Sequence, residues 1–352
     1  MPGLSESVQQ SGSMETAILD ARTDLRQAVA AAVEILNRND LVALPTETVY
    51  GLAGDALEPE ALVKIFEVKE RPFFDPLILH VENKKWLAQL TRPPEKESPV
   101  VEKLMERFWP GPLTILFPKS DLVPDLVTAG LAQVAIRMPR HPVFVEVLRA
   151  FGKPLAAPSA NRFGRVSPTR GEHVFEELAG RIPLILDAGP TIVGLESTIV
   201  RISEEKIEIL RQGAVSVENL AEIAPTKELA FPEIIVAPGQ TASHYAPGKL
   251  LHLFGPDAFG PNSSRDALIC WGPVQYAENF SIVRSLSETR DLRVAAQRLF
   301  SLLREVDRAN IRQIFIEAVP EVGLGKAIMD RIRRAIAPRG SGPVFSQKNH
   351  KL

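Results

Sequence analysis

The chain has 352 residues, 45% of them apolar and 24% charged, and a formal net charge of -2. That length is more than one hydrophobic core usually spans, and the balance is that of a globular protein, so two domains are expected. The near-neutral charge gives no global field to attract nucleic acid, and a single cysteine, Cys270, excludes a disulfide framework and a cysteine-based metal site.

Residues 1–16 are polar, carry Glu6 and Glu15 and lack an apolar centre, so they read as a disordered tail, not a signal or transit peptide. No apolar run is long enough to span a membrane, and a reducing, cytoplasmic setting is expected. Residues 25–37 (LRQAVAAAVEILN) have helical spacing, with Val29, Ala32, Val33 and Leu36 on one face. Asp40 turns the chain into a buried strand at 41–45. Then comes Thr46-Glu47-Thr48-Val49-Tyr50-Gly51-Leu52, which either offers two hydroxyls at a loop or continues the strand with β-branched residues. Residues 60–68 form a helix with Leu62, Ile65 and Phe66 as its apolar stripe, running into Lys69-Glu70-Arg71-Pro72. Two cations spaced by two before a proline point the same way in an extended segment, which suits a phosphate chain. The alternative is a solvated helix end whose cations complement the dipole. A strand at 76–81 ends with His80.

A helix at 100–108 is closed by Trp109-Pro110-Gly111-Pro112, and strands at 113–117 and 133–138 follow on either side of a turn at Thr128-Ala129-Gly130. Arg137 lies in an apolar run and therefore has to pair with something. A helix at 142–151 leads into 153–169 (KPLAAPSANRFGRVSPT), the stretch around which the chemistry is organised. Pro158 stops a short apolar run. Ser159, Asn161, Arg162, Gly164, Arg165, Ser167 and Thr169 then supply the hydroxyls, amide, close backbone approach and guanidinium charge of an anion-holding loop. In open α/β sheets ligands collect beyond the carboxyl ends of strands. A plain strand-to-helix turn capped by Ser159 or Asn161 is the alternative.

A short helix at 174–178 and a strand at 183–187 follow. Gly194-Leu195-Glu196-Ser197 is a polar loop entering a strand, a strand at 206–210 ends in Arg211-Gln212-Gly213, and 217–221 is a short helix. This part is expected to mix about seven strands with about four or five helices. Residues 224–249 lack periodicity and are stiffened by Pro225, Pro232, Pro238 and Pro247, so they read as an ordered linker; His244-Tyr245-Ala246-Pro247 either lies over a ligand or anchors the linker. Strands at 250–254, 267–271 and 312–318 alternate with helices at 292–306 and 327–336, the pattern of a small parallel α/β sheet. The expected organisation is a tail to residue 16, a catalytic domain over 17–223, the linker 224–249, a C-terminal domain over 250–338 and a tail from 339 to 352.

The sequence contains no GxxxxGK[ST], GxGxxG after a strand, GxSxG or HExxH, and its six histidines show no metal-ligand spacing. What remains is a set of cations (Lys69, Arg71, Arg137, Arg211) and hydroxyls (Thr46, Ser159, Ser167, Ser197) at strand ends. That set suits a polyanion and a small polar acid. Nucleotidyl transfer asks a protein mainly to position groups and neutralise charge. The same cations would also serve RNA binding.

Together the motifs resemble the threonylcarbamoyl-AMP synthase family in its long form. The matching stretches, in the family's order, are LPTETVYGL (44–52), KERPFFDPL (69–77), FWPGPLT (108–114), VAIRMP (134–139), APSAN (157–161), SPT (167–169), GLESTI (194–199) and HYAP (244–247). They cover about 25 to 247, and GLGKAIMDRIRRA (323–335) resembles the family's C-terminal domain more loosely. The resemblance implies a YrdC-like α/β domain, a twisted mixed sheet with flanking helices, followed by a smaller Rossmann-like parallel α/β domain. It implies a nucleotidyltransferase that makes threonylcarbamoyl-AMP and pyrophosphate from L-threonine, bicarbonate and ATP. The product would pass to the tRNA threonylcarbamoyl-transfer machinery, with direct tRNA contact left open and no membrane involved. In the family's pattern Lys69 and Arg71 neutralise ATP phosphates as the catalytic pair. Ser159, Asn161, Ser167, Arg211 and Tyr245 belong to the nucleotide site, and Thr46, His80, Arg137 and Ser197 line the threonine side. Mg²⁺ is expected on the phosphates, with no protein-bound metal site. Gln212 stands where the family commonly has proline. Rival readings are an RNA-binding module and a carbamoyltransferase of hydrogenase maturation; the latter carries acylphosphatase and zinc-finger segments that this chain lacks. For the C-terminal domain the sequence shows no catalytic constellation, only support and anchoring of the linker.

Overall fold

The computed structural model describes residues 14–92, 98–229, 237–239, 243–255 and 263–338. Its first lobe contains β1 (Ala17–Asp20), α1 (Leu25–Leu36), β2 (Val42–Leu44), β3 (Gly51–Asp55), α2 (Pro59–Lys69), β4 (Ile78–His80), α3 (Lys84–Leu90), α4 (Pro99–Phe108), β5 (Leu113–Pro118), α5 (Asp125–Thr128), β6 (Gln133–Arg137), α6 (Pro142–Phe151), β7 (Leu155–Ala156), α7 (Gly171–Leu178), β8 (Leu184–Asp187), β9 (Thr198–Ser203), β10 (Lys206–Arg211), α8 (Val217–Ala221) and β11 (Thr226–Glu228). The second lobe contains β12 (Leu250–Leu253), β13 (Ala267–Cys270), β14 (Ile282–Ser285), α9 (Leu292–Arg308), β15 (Gln313–Ile316) and α10 (Leu324–Ile336).

The first eleven strands form one mixed sheet in the order β1-β8-β2-β3-β7-β4-β6-β5-β9-β10-β11. β4 pairs parallel with β6, and β6 antiparallel with β5. Helices cover both faces. On one, the Asp24 carboxylate caps α1 by accepting from the Gln27 N–H, and Ala28, Ala32 and Leu36 pack with Val143, Phe144, Val147 and Leu148 of α6. The other face buries α2 and α4 through Leu62, Ile65, Phe66 and Leu104. The four remaining strands are all parallel, in the order β12-β15-β13-β14, under the amphipathic α9 and α10. The mixed sheet with flanking helices and the smaller parallel sheet are those expected.

The first lobe holds eleven strands and eight helices among its described residues, more than the sequence count. The additions are short or poorly marked: β1, β3, α3, α5 and β11. In the second lobe β14 is also additional. Residues 46–49 form a loop and not a strand extension, and Lys69-Glu70-Arg71 is not extended: Lys69 is the last residue of α2 and Glu70 turns the chain with a left-handed φ of 54°. The tail expected at 339–352 and residues 1–13 of the N-terminal one lie outside the described residues, as does most of 230–242. Thr16, at the end of that first stretch, donates to the Ile182 carbonyl at 2.5 Å and accepts from Gly180.

Candidate functional site

Parallel register sets His80 at the end of β4 beside Arg137 at the end of β6, so both side chains leave one face at the carboxyl edge. Arg211 ends β10, and the loops after β7 and before β9 bring Ala157-Pro158-Ser159 and Glu196-Ser197 alongside. These groups line one cleft with Thr48, Val49, Arg71, Ile78, Pro238, Gly239, His244 and Tyr245. Of the residues the sequence singles out, Arg71, His80, Arg137, Ser159, Ser197, Arg211 and Tyr245 line it; Thr46, Lys69, Asn161 and Ser167 are its support.

Each supporting role is visible in the bonds. Thr46 Oγ1 accepts from the N–H groups of Thr48 and Val49 and donates to the Val49 carbonyl at 2.6 Å, so it builds the turn that presents Thr48. Lys69 Nζ donates at 2.5 Å to the carbonyls of both Ser159 and Asn161, fixing the anion-loop backbone. Asn161 Nδ2 donates to the carbonyls of Arg162 and Arg165, and Ser167 Oγ donates to Glu196 Oε1 at 2.5 Å.

The cations facing the cleft are each tied to a carboxylate or carbonyls. Arg71 Nη2 lies 3.0 Å from Asp75 and donates to the Pro76 carbonyl. Arg137, the lone charge in its apolar strand, pairs with Glu47 at 2.6 Å and donates to Thr48 Oγ1 at 3.0 Å. Arg211 donates through Nη2 to the Ser197 carbonyl and hydroxyl at 2.9 and 3.1 Å, and through Nη1 to the Pro238 carbonyl. Around the cleft, Lys69, Arg71, Arg137, Arg211 and Arg331 are buried with Glu47, Asp75 and Glu196, an excess of positive charge.

Burial sets the electrostatics. It pushes the Lys69 ammonium well below its usual value, with Arg71 adding repulsion. The His80 imidazole is pushed down to about 3 by burial and by Arg137, so it is neutral. His244 is likewise well below its usual range, by burial and then Arg71 and Lys69. Burial alone would raise Glu47 and Glu196; Arg137 in one case, Arg331 and Arg211 in the other, outweigh it and keep both ionised. Such a site is short of negative charge, so it disfavours further protonation and would draw an anion.

The linker end closes the cleft. Tyr245, at φ 63°, stacks on Phe300 of α9 with ring centroids 5.6 Å apart, and His244 meets Phe163 edge-on. The Ala246 N–H bonds to the Gly164 carbonyl, and Gly248 and Lys249 donate to Asp307. The cavity left is about 50 Å³.

Three contributors escape the sequence reading, Glu47, Glu196 and Arg331, and Thr48 enters it only as one of two loop hydroxyls. Glu47 and Glu196 carry a usable signal, since each is a lone carboxylate between apolar residues and turn formers and has to meet a cation. Arg331 carries none, lying in a helix with three other arginines and lysines, Lys326, Arg333 and Arg334. Among the described residues no group of three His, Cys, Asp or Glu side chains is placed to hold a metal ion. No helix among them is long and apolar enough to cross a membrane.

Comparison with known proteins agrees with this architecture. A family model described as telomere recombination matches residues 34–213, and one described as threonylcarbamoyl-AMP synthase, C-terminal domain, matches 203–337. The threonylcarbamoyl-AMP synthase of Bacillus subtilis is 38% identical over 329 residues, covering 88% of this chain and 93% of the relative. That of Pyrococcus abyssi is 35% identical over 340 residues, covering 91% and 97%. The crystal structure of P. abyssi Sua5 complexed with L-threonine superposes with a TM-score of 0.78 at 33% identity, covering 92% of this chain and 97% of that one. The chain belongs to the threonylcarbamoyl-AMP synthase family.

Proposed function

We propose that the protein is an L-threonylcarbamoyladenylate synthase, a nucleotidyltransferase acting in the cytoplasm on L-threonine, bicarbonate and ATP. The observation that carries the reading is the buried excess of cations around a single cleft at the carboxyl edge of the sheet. Lys69 shapes the loop that receives the phosphates, and Arg71 and Arg211 neutralise them, with Ser159, Asn161 and Ser167 completing the nucleotide side. His80, Arg137 and Ser197 line the threonine side, with Thr48 presented there by Thr46. Arg137 reaches the threonine carboxylate while Glu47 holds its other edge.

The chemistry runs in two steps. The threonine amine attacks bicarbonate-derived carbon, loses a proton and forms the carbamate, releasing water. A carbamate oxygen then attacks the α-phosphorus in line, the bond to the bridging oxygen breaks, and pyrophosphate leaves with its electron pair. Mg²⁺ would be carried on the phosphates and water, since carboxylates at the site are already paired, and would supply charge neutralisation when bound. A 50 Å³ cavity is far below the ~300 Å³ at which small-molecule sites begin, so His244 and Tyr245 have to lift to admit ATP and close again to keep water from a labile product. The product would then pass to the tRNA threonylcarbamoyl-transfer machinery.

The test is to incubate the purified chain with ATP, Mg²⁺, bicarbonate and L-threonine and to follow nucleotides and pyrophosphate by chromatography. Pyrophosphate release that needs both threonine and bicarbonate, with a threonylcarbamoyl-adenylate peak, is expected. ATP binding without such turnover would overturn the reading.

A further inference from the structure

We propose that Arg331, from the second lobe, is a positioning residue of the nucleotide site: it neutralises Glu196 so that the cleft accepts a polyphosphate. The inference rests on the ATP-dependent reading above.

Glu196 lines the cleft and is only 6% exposed. One of its oxygens is taken by Ser167, and the other accepts from Arg331 Nε at 2.9 Å. Arg331 arrives from α10 of the other lobe with a fully buried side chain. Its Nη2 donates to the Gln212 carbonyl at 2.8 Å, one residue after Arg211, and its guanidinium carbon stands 4.8 Å from the centre of the Tyr245 ring. Nη1 meets Asp330 on its own helix. The guanidinium is thus fixed at the junction of the anion loop, the strand bearing Arg211 and the linker.

A buried carboxylate facing a nucleotide's phosphates opposes binding. Two unit charges some 6–8 Å apart at an effective dielectric of about 20 repel strongly enough to weaken affinity roughly 10- to 100-fold. Arg331 cancels that repulsion from behind while leaving Glu196 able to hold Ser167. Neither partner would be a sensible buried residue alone. The geometry gives the second lobe a stake in catalysis beyond anchoring the linker: the lobe supplies the charge that makes the first lobe's pocket fit its ligand.

The experiment compares steady-state pyrophosphate release by the full chain, its Arg331→Met variant and the double variant Arg331→Met/Glu196→Gln, each with a thermal melt. Arg331→Met should raise the KM for ATP roughly 10- to 100-fold and leave the KM for threonine within about twofold, because Arg137 and His80 are untouched. The double variant, with no carboxylate to neutralise, should return the ATP KM to within about fivefold of the parent. An unshifted ATP KM in Arg331→Met, or equal rises in both KM values, makes Arg331 a structural strut and overturns the proposal. So does a double variant that stays as poor as the single one. If Arg331→Met does not fold, the double variant decides alone: an ATP KM raised tenfold or more in it refutes the charge-cancelling role. A parent chain without threonine-dependent pyrophosphate release removes both the inference and the reading under it; a fully active parent with an indifferent Arg331 removes the inference only.

Discussion

In the proposed reading Lys69 serves the ligand more than it serves the fold. Its ammonium is fully buried, its hydrogen bonds go to two carbonyls, and burial works against its charge. Lys69→Met removes a desolvated charge but leaves the Ser159 and Asn161 carbonyls without their donor, so it should cost about 1–3 kcal/mol while the anion loop loses the group that shapes it. Pyrophosphate release is expected to fall about 100-fold or more with the melting temperature within a few degrees; retention of turnover within threefold of the parent would refute the assignment. Arg71 differs, because its removal strands the buried Asp75, and Arg71→Ala should be distinctly less stable, by about 3–5 kcal/mol. Histidines set the acid limit. His80 and His173 are both pushed down to about 3, by burial first and then by neighbouring arginines, against 6.5 when unfolded. The unfolded chain therefore binds more protons between pH 6.5 and 3, and stability falls as pH drops through that window, each histidine adding a slope of up to about 1.4 kcal/mol per pH unit. His173 Nδ1 accepts from the Thr169 N–H at 3.3 Å, a bond that protonation would break. Urea midpoints measured from pH 7 to 4 should decline less steeply in His173→Gln; an unchanged slope would show that His173 is not one of the responsible groups.

At the scale of elements, legibility followed the strength of local chemistry. Helices with clear spacing and a cap or an N1 proline, such as α1 and α6, read directly from the sequence, and so did the parallel alternation of the second lobe. β3 did not. It reads GLAGD, poor in β-formers, yet it is central and buried on both faces. Its small residues exist for close packing: a Cβ on Gly54 would come within 2.8 Å of the Leu41 side chain. The cleft was legible as a list of cations and hydroxyls; which hydroxyls face inward was not, because Thr46 and Thr48 differ only in the turn between them. Glu196 depends on another such element, the loop before β9. Gly194 there has φ 78°, and a Cβ on it would lie 2.5 Å from Gln297 Cα and 2.6 Å from the Ala296 carbonyl oxygen of α9. Gly194→Ala should thus push the loop off α9, cost about 2 kcal/mol or more, and reduce turnover by displacing Glu196 and Ser197. Urea unfolding and pyrophosphate assays measure the two effects, and a variant matching the parent in both would show that the loop is not held against α9.

Across the whole molecule, the two sheets are separate but the hydrophobic core is not divided the same way. Val49, Val166 and Leu195 of the first lobe belong to one cluster with Tyr245 of the linker and Leu299, Phe300, Leu303 and Ile332 of the second. Arg304 of α9 adds an ion pair to Glu177 of α7 at 3.2 Å, and Arg331 reaches Glu196. The cations of the cleft are held by groups from the sheet, the anion loop, the linker and α10 together, so loosening either lobe uncovers the same charges. Lobes that share a core and a buried charge cluster should unfold together. Calorimetry of the full chain is expected to give a single transition, and a non-hydrolysable ATP analogue should raise it without splitting it. At 100 times its Kd, a ligand bound only by the folded state adds about 2.7 kcal/mol. Through the entropy of unfolding a chain of this size, that is a rise of several degrees. Anion binding also offsets the positive excess that the fold otherwise has to tolerate, so the gain belongs to both lobes. Two separated transitions, with the analogue moving only the first lobe's, would mean that the second lobe folds as a bystander, and the coupling through Tyr245 and Arg331 would have to be given up.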